Sequence, residues 1–279
     1  MYETQPDYNS FKKKFKEKKN LLFWKIFKSD LDTPVSAYLK LCQNKNLKNT
    51  FLLESVQDGS YRGRYSVIGM YPDLIWKNIK NKIFVNKLYI KNSFEECSKE
   101  PLKSLKSIIE KSKIDFPAFL PPMSSALFGY LGYEIIDQYE KLPERKLNDL
   151  GLPDGFFIRP TVMAIFDSLE NKLIITSPLW YKKNLNFKKE YKKKINLLKE
   201  IRASLENSIK KTHIKIKKNK ILPKSNISKK RFMEMVNVAK KHVFNGDIFQ
   251  VVLSQRFKTK FNLPPFELYR SLRSLNPSP

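Results

Sequence analysis

Glu54 and Ser55 close the apolar run Phe51-Leu52-Leu53, and are the first adjacent polar pair in the chain placed to do chemistry. In a strand, successive side chains point to opposite faces, so the two would serve different surfaces. A carboxylate at position 54 suits a cation, and a hydroxyl at 55 suits a ligand's carboxylate or ammonium. The plainer alternative is a local salt bridge from Glu54 to Arg62 or Arg64. A second set lies near the other end. Gly246 allows a tight backbone approach and Asp247 can cap or pair. After them, Ile248 to Phe257 reads as a strand with apolar residues on both faces, which predicts a central position in a sheet. Gln250 and Ser254 would then be buried and in need of partners, either a ligand or a structural network. His242 sits beside Val243 in a helical pattern and reads as a structural or surface group.

Other chemistries are excluded by what is missing. Two cysteines, Cys42 and Cys97, rule out a disulfide-stapled scaffold and a four-cysteine zinc site. Two histidines cannot build a multi-histidine centre. Gly129-Tyr130-Leu131-Gly132 lacks the third glycine of a dinucleotide fingerprint, and there is no Walker loop, GxSxG elbow or HExxH. Glu234, Asp247 and Glu267 stand isolated after residue 230, so the sequence yields no catalytic residue and no metal ligand.

The elements that must position these residues read as a mixed α+β chain. Of its 279 residues, 41% are hydrophobic, enough for a core. Residues 1–20 are polar and basic and are expected to be loose. Thr33-Pro34 starts a helix with Val35, Tyr38, Leu39 and Leu41 on one stripe. Strands are expected at 51–56, 64–69 and within 74–90, then a helix from Pro101, with Leu102, Leu105 and Ile109 inward. Three prolines in 115–122 exclude a helix there. Gly129 and Gly132 suggest close backbone approach. Phe156–Asp167 and Lys172–Thr176 read as a hairpin, and 187–209 as an amphipathic helix with Phe187, Tyr191, Ile195, Leu198, Leu205 and Ile209 inward. Residues 211–228 form a basic linker. Ser228 caps a helix to about Phe244, Asn245-Gly246-Asp247 ends it, and Leu263-Pro264-Pro265 opens a last one.

The net charge of 54 − 27 = +27 invites a nucleic-acid reading. It is weakened by distribution. Tyr181 to Lys224 alone carries sixteen Lys+Arg against three Glu, and the charge is almost all lysine rather than the arginine that reads phosphate and base edges. A solvated basic surface is expected, with no specific nucleic acid. No apolar run approaches 18 residues and Lys25 interrupts the one at 21–27, so neither a membrane span nor an export signal is expected, and the cytoplasm is the expected compartment.

Four blocks, in order, resemble component I of anthranilate synthase, the large chorismate-using subunit. They are Leu52-Leu53-Glu54-Ser55 with Gly63-Arg64-Tyr65-Ser66-Val67-Ile68-Gly69; Phe128 to Glu134 (FGYLGYE); Pro160 to Asp167; and Gly246 to Phe257 (GDIFQVVLSQRF) with Asn276-Pro277-Ser278-Pro279. The resemblance implies an α+β fold, with a strand-rich, β-sandwich-like core and peripheral helices, incomplete at the C-terminus. It divides the chain into a flexible basic N-terminus (1–20), a regulatory region (21–210), the linker (211–228) and the start of a chorismate-binding domain (229–279). It implies conversion of chorismate and ammonia to anthranilate and pyruvate with Mg²⁺, ammonia supplied by a glutamine amidotransferase subunit (component II), and feedback inhibition by L-tryptophan. Glu54 and Ser55 would contact tryptophan on one side and Asn276 and Pro277 on the other, with Arg64, Gly246, Asp247, Gln250 and Ser254 structural or site-adjacent. The family's Mg²⁺ ligands and catalytic histidine fall beyond Pro279, so this polypeptide is expected to be inactive by itself. Alternatives are the aminodeoxychorismate synthase large component and a non-catalytic tryptophan-binding module.

Overall fold

A computed structural model describes residues 3–54, 63–88, 93–144, 148–209 and 222–275. The chain divides into two compact units at Lys210/Lys211.

The first unit is built on one long antiparallel ribbon. Strands β3 (Tyr65–Ile79) and β7 (Gly155–Asp167) pair from Tyr65↔Asp167 to Asn78↔Gly155. The register breaks between Pro72 and Leu74. Pro72 faces Pro160, and neither has an N–H to give to the ladder. Tyr71 is forced to φ +52, and the Thr161 hydroxyl donates to its carbonyl at 2.5 Å. This bulge divides the ribbon into halves with different neighbours. One half carries β2 (Phe51–Leu53) on β3, and β8 (Lys172–Leu179) then β1 (Leu21–Lys28) on β7. The other carries β4 (Lys82–Asn86) and β5 (Glu95–Cys97) beside β3, and β6 (Phe128–Leu131) beside β7. The expected β7–β8 hairpin forms, and the whole is a single eight-stranded sheet.

Side-chain alternation gives the sheet two apolar faces. Ile68, Met70, Val162, Ala164 and Ile175 face α1 (Tyr8–Lys16), α2 (Pro34–Tyr38) and α4 (Phe187–Glu206), while Val67, Met163, Ile165 and Ile174 pack with Leu120. Trp76, Leu74 and Ile83 pack with Leu105 of α3 (Pro101–Lys111) in a third cluster.

The N-terminal stretch departs from expectation. Tyr8, Phe11 and Phe15 recur at helical spacing among the lysines. Asp7 caps α1, accepting from the backbone of Asn9 and Ser10, and Phe11 is fully buried against Phe23 and Tyr191. Residues 1–20 are therefore not simply a loose tail. α2 starts as expected, with Thr33 and Ser36 exchanging capping bonds. Ala37 is its buried residue rather than Val35, and it then widens into a π-helical turn, Leu39–Gln43, that buries Leu39, Leu41 and Cys42. In α3 and α4 the inward faces differ slightly from the expected ones. Ile109 is exposed, Ile201 is buried, and Lys194 lies in the buried face of α4.

Gly129 shows why that position tolerates no side chain. A Cβ there would lie 1.9 Å from the Phe156 carbonyl oxygen across the β6–β7 pair. Gly129→Ala is expected to cost at least about 2 kcal/mol, since only backbone movement relieves the clash; a urea titration measures it. The two cysteines are free, and burial pushes the Cys42 thiol up to about 12. Cys97 is only half-buried on β5. A thiol titration of the native protein is expected to count one reactive group, Cys97, and a second only in denaturant.

The second unit contains β9 (Lys224–Ser225) paired with β10 (Phe257–Lys258), α5 (Lys229–Phe244) and α6 (Pro265–Leu275). Both helices begin where the capping residue and the prolines place them. Of the expected linker, 211–221 lie outside the described residues, and Lys224–Ser225 is strand. The central strand expected over 248–257 does not form. Only Phe257 and Lys258 are paired, and Phe249 is 96% and Val252 80% exposed. A strand needs neighbours for its N–H and C=O groups, and among the described residues of this unit only β9 and the adjacent Asn226, which bonds Arg256, supply any.

Candidate functional site

Three of the four sequence blocks meet at one corner of the first unit's sheet. β2 seats on β3 with Phe51↔Gly69, Leu52↔Ile68 and Leu53↔Val67. The seat depends on Gly69, where a Cβ would come 2.1 Å from Phe51 Cε1. Phe51 in turn contacts Phe128 of β6, with ring centroids 4.4 Å apart. The Leu52–Glu54, Gly63–Gly69 and FGYLGYE blocks are thus held through the β3–β7 ribbon, whose β7 half contains the Pro160–Asp167 block. Glu54 follows directly on β2 and is half-buried. Ser55, Asn276 and Pro277 lie outside the described residues.

Arg64 is fixed where the chain enters β3. Its Nε lies 2.9 Å from both carboxylate oxygens of Asp167 and its Nη2 2.5 Å from Oδ2. Nη2 also reaches Glu170 at 3.2 Å, and the guanidinium covers the Tyr65 ring at 4.9 Å. Burial raises the Asp167 carboxyl, but the Arg64 bonds and charge, with the backbone N–H groups of Glu170 and Leu169, bring it below the ordinary value. That carboxylate therefore stabilises the fold above its unfolded titration range and loses this as pH falls. Arg64 serves as a clamp from the start of β3 to the β7–β8 turn.

Gly246 and Asp247 are brought together at the end of α5. Gly246, at φ +77, donates to the Val243 carbonyl at 3.1 Å, and Asp247 N–H donates to the His242 carbonyl at 3.0 Å. This is a Schellman stop. The Asp247 carboxylate also meets His242 Nδ1 at 2.8 Å, bracing the same turn. These two residues terminate a helix, as does the only paired histidine among the described residues. Gln250 and Ser254 are exposed, contrary to the buried positions expected of them, because the strand that would bury them is absent.

One polar cluster was not foreseen. Arg159, in the apolar run of β7, bonds both Asp73 oxygens (Nε to Oδ1 2.7 Å, Nη2 to Oδ2 3.0 Å) and donates from Nη1 to Ser112 at 2.9 Å. Trp180 Nε1 donates to Asp73 at 2.6 Å, and the guanidinium lies 4.3 Å from the Trp180 ring centroid. The signal available in the sequence was a lone arginine and a lone aspartate inside apolar strands.

Among the described residues no three of His, Cys, Asp and Glu gather to hold a cation. The described residues therefore do not fit a Mg²⁺ site. No helix among them is long and apolar enough to cross a membrane.

Comparison with known proteins places this arrangement. The model of the chorismate binding enzyme family matches residues 51–279, and the chain belongs to that family. Within it, the similarity is to the large subunit of anthranilate synthase. Anthranilate synthase component 1 of Cereibacter sphaeroides is 37% identical over 276 residues, covering 98% of this chain and 55% of that protein. The Acetivibrio thermocellus protein of the same name is 35% identical over 257 residues, covering 90% and 51%. The crystal structure of anthranilate synthase component I from Streptococcus pneumoniae superposes with a TM-score of 0.61 at 26% identity, over 90% of this chain and 53% of that one. The chain thus spans about half the length of the relatives it matches. The α+β class, with a large antiparallel sheet and peripheral helices, agrees with that structure.

Proposed function

We propose that this chain is part of the large subunit of an anthranilate synthase. The subunit acts in the cytoplasm, in tryptophan biosynthesis, as a lyase. It converts chorismate and ammonia to anthranilate and pyruvate with Mg²⁺, takes ammonia from a glutamine amidotransferase subunit, and is inhibited by L-tryptophan. The observation that carries the reading is the 37% identity to an anthranilate synthase component 1 across 98% of this chain. Glu54 and Ser55 contact tryptophan on one side, and Asn276 and Pro277 on the other. The seating of β2 on Gly69 and Phe128 supports this for Glu54, because a ligand-binding carboxylate needs a rigid base. The ammonium of a zwitterionic amino acid needs such an acceptor, and its carboxylate needs donors.

The test is a fusion of residues 1–279 to the remaining part of the Cereibacter sphaeroides relative, assayed with chorismate, ammonium and Mg²⁺. Anthranilate is the expected product, with turnover falling as tryptophan is added. Ser55→Ala is expected to raise the tryptophan concentration for half-inhibition by about tenfold, the loss of one hydrogen bond to a charged group, with uninhibited turnover little changed. An aminated product that retains the enolpyruvyl ether would favour aminodeoxychorismate synthase instead. Residues 1–279 alone are expected to give no product. Tryptophan binding without any turnover by the fusion would favour the binding-module reading.

A further inference from the structure

A cavity of about 680 Å³ lies within the first unit, at the β4–β5 side of the sheet, away from β2 and Glu54. We propose that it binds a small organic monocarboxylate with a ring or branched alkyl body. Lysines crowd this whole surface, so lysine alone argues nothing; the weight falls on Arg159. It is the one buried cation lining the cavity, 8% exposed. Its bonds to Asp73 and Ser112 use three of the five guanidinium N–H groups. Asp73 takes Arg159 on both oxygens and Trp180 on one. The remaining two donors have no acceptor among the described residues and belong to a side chain that lines the cavity. A carboxylate is the group that answers a pair of guanidinium N–H donors.

The rest of the lining sorts the ligand further. Leu74, Val85, Ile108 and Trp180 make an apolar wall for a hydrocarbon body. Lys87, Lys99 and Lys111 stand exposed around the cavity and favour an anion. Of the two acids in the lining, Glu96 is engaged by Lys82 at 3.2 Å. An anion without an apolar part would leave the wall unused, and an uncharged body would leave Arg159 unanswered.

The test titrates the ¹⁵N-labelled 279-residue protein at constant ionic strength with phenylacetate, phenylacetamide and inorganic phosphate. The Arg159 Nε–H and Trp180 Nε1–H cross-peaks are followed. Phenylacetate is expected to shift both, with a Kd about tenfold or more below those of the amide and phosphate, the difference expected of a charge-assisted hydrogen bond. Ser107→Phe, which fills the cavity from α3, is expected to abolish the shifts. Lys111→Glu, at an exposed position, is expected to weaken binding several-fold. Equal binding of acid and amide overturns the proposal, as does phosphate matching phenylacetate, or no shift with any ligand. Should Ser107→Phe fail to fold, the acid-to-amide ratio in the unsubstituted protein and the Lys111→Glu titration decide.

Discussion

Asp73→Ala is expected to destabilise the first unit by about 3–5 kcal/mol, the range for stripping one partner from a buried ion pair. The carboxylate and the Arg159 guanidinium are both nearly inaccessible and meet at 2.7 and 3.0 Å. Removing Asp73 leaves a charged guanidinium in the core with only Ser112 to accept from it, and leaves the Trp180 indole N–H unpaired. Asp73→Asn is expected to cost nearly as much, since it restores shape but not charge. The double variant Asp73→Ala, Arg159→Met is expected to recover much of the loss, because no charge then remains to be solvated. Urea unfolding of the unsubstituted protein, Asp73→Ala, the single variant Arg159→Met and the double variant, followed by tryptophan fluorescence, gives the coupling energy. A single-variant loss under about 1 kcal/mol, the value of a surface pair, would show that water reaches the pair.

The cluster around Asp73 also shows where a sequence stops being legible. Strand and helix positions followed from periodicity and punctuation, as with Thr33-Pro34, Ser228 and the 156–176 hairpin. The paired carboxylate and guanidinium did not, because 86 residues separate Asp73 from Arg159 and nothing local says they share a core. Lys194 was hidden for another reason. It is one lysine of the many between 181 and 224, and burial of that one depends on how α4 lies across β8. Phe11 was lost in the same way, an apolar stripe masked by the lysines between its members. In the opposite direction, 248–257 carries strand-forming residues, but a strand is a property of a pair, and the described partner is two residues long. Of the candidate site, the sequence blocks converge as a group at β2, β3, β6 and β7. The individual role of Arg64 became clear only from its partners. Arg64 holds Asp167, whereas the helix stop at Gly246–Asp247 was legible in the sequence, and only the His242–Asp247 bond that braces it was not.

Lys194 leads to the second large effect. The residue is 8% exposed, and its ammonium donates to Ser177 Oγ at 2.8 Å and to the Pro178 carbonyl at 2.6 Å. Among the described residues it has no carboxylate partner. Burial pushes its pKa from the ordinary 10.5 down to about 8, helped by Lys193 and opposed by Glu190 and Asp73. A shift of that size corresponds to a penalty of roughly 3 kcal/mol on folding at neutral pH. The sign follows from proton counts. Between pH 8 and 10.5 the unfolded chain still holds the proton that the folded chain has lost, so stability rises with pH across that window and this contribution is flat below it. Lys194→Met is expected to remove the rise. At pH 7 it is expected to stabilise the first unit by about 1–2 kcal/mol, the penalty less the cost of leaving the Ser177 and Pro178 acceptors without a donor. Burial raises Tyr38, Tyr65, Tyr71 and Tyr191, and they withdraw stability only as pH climbs past the ordinary tyrosine value. They do so equally in both proteins, so the difference between the two unfolding curves from pH 7 to 10 isolates Lys194. Parallel curves would mean that its ammonium remains hydrated, and that α4 is held to β8 by packing alone.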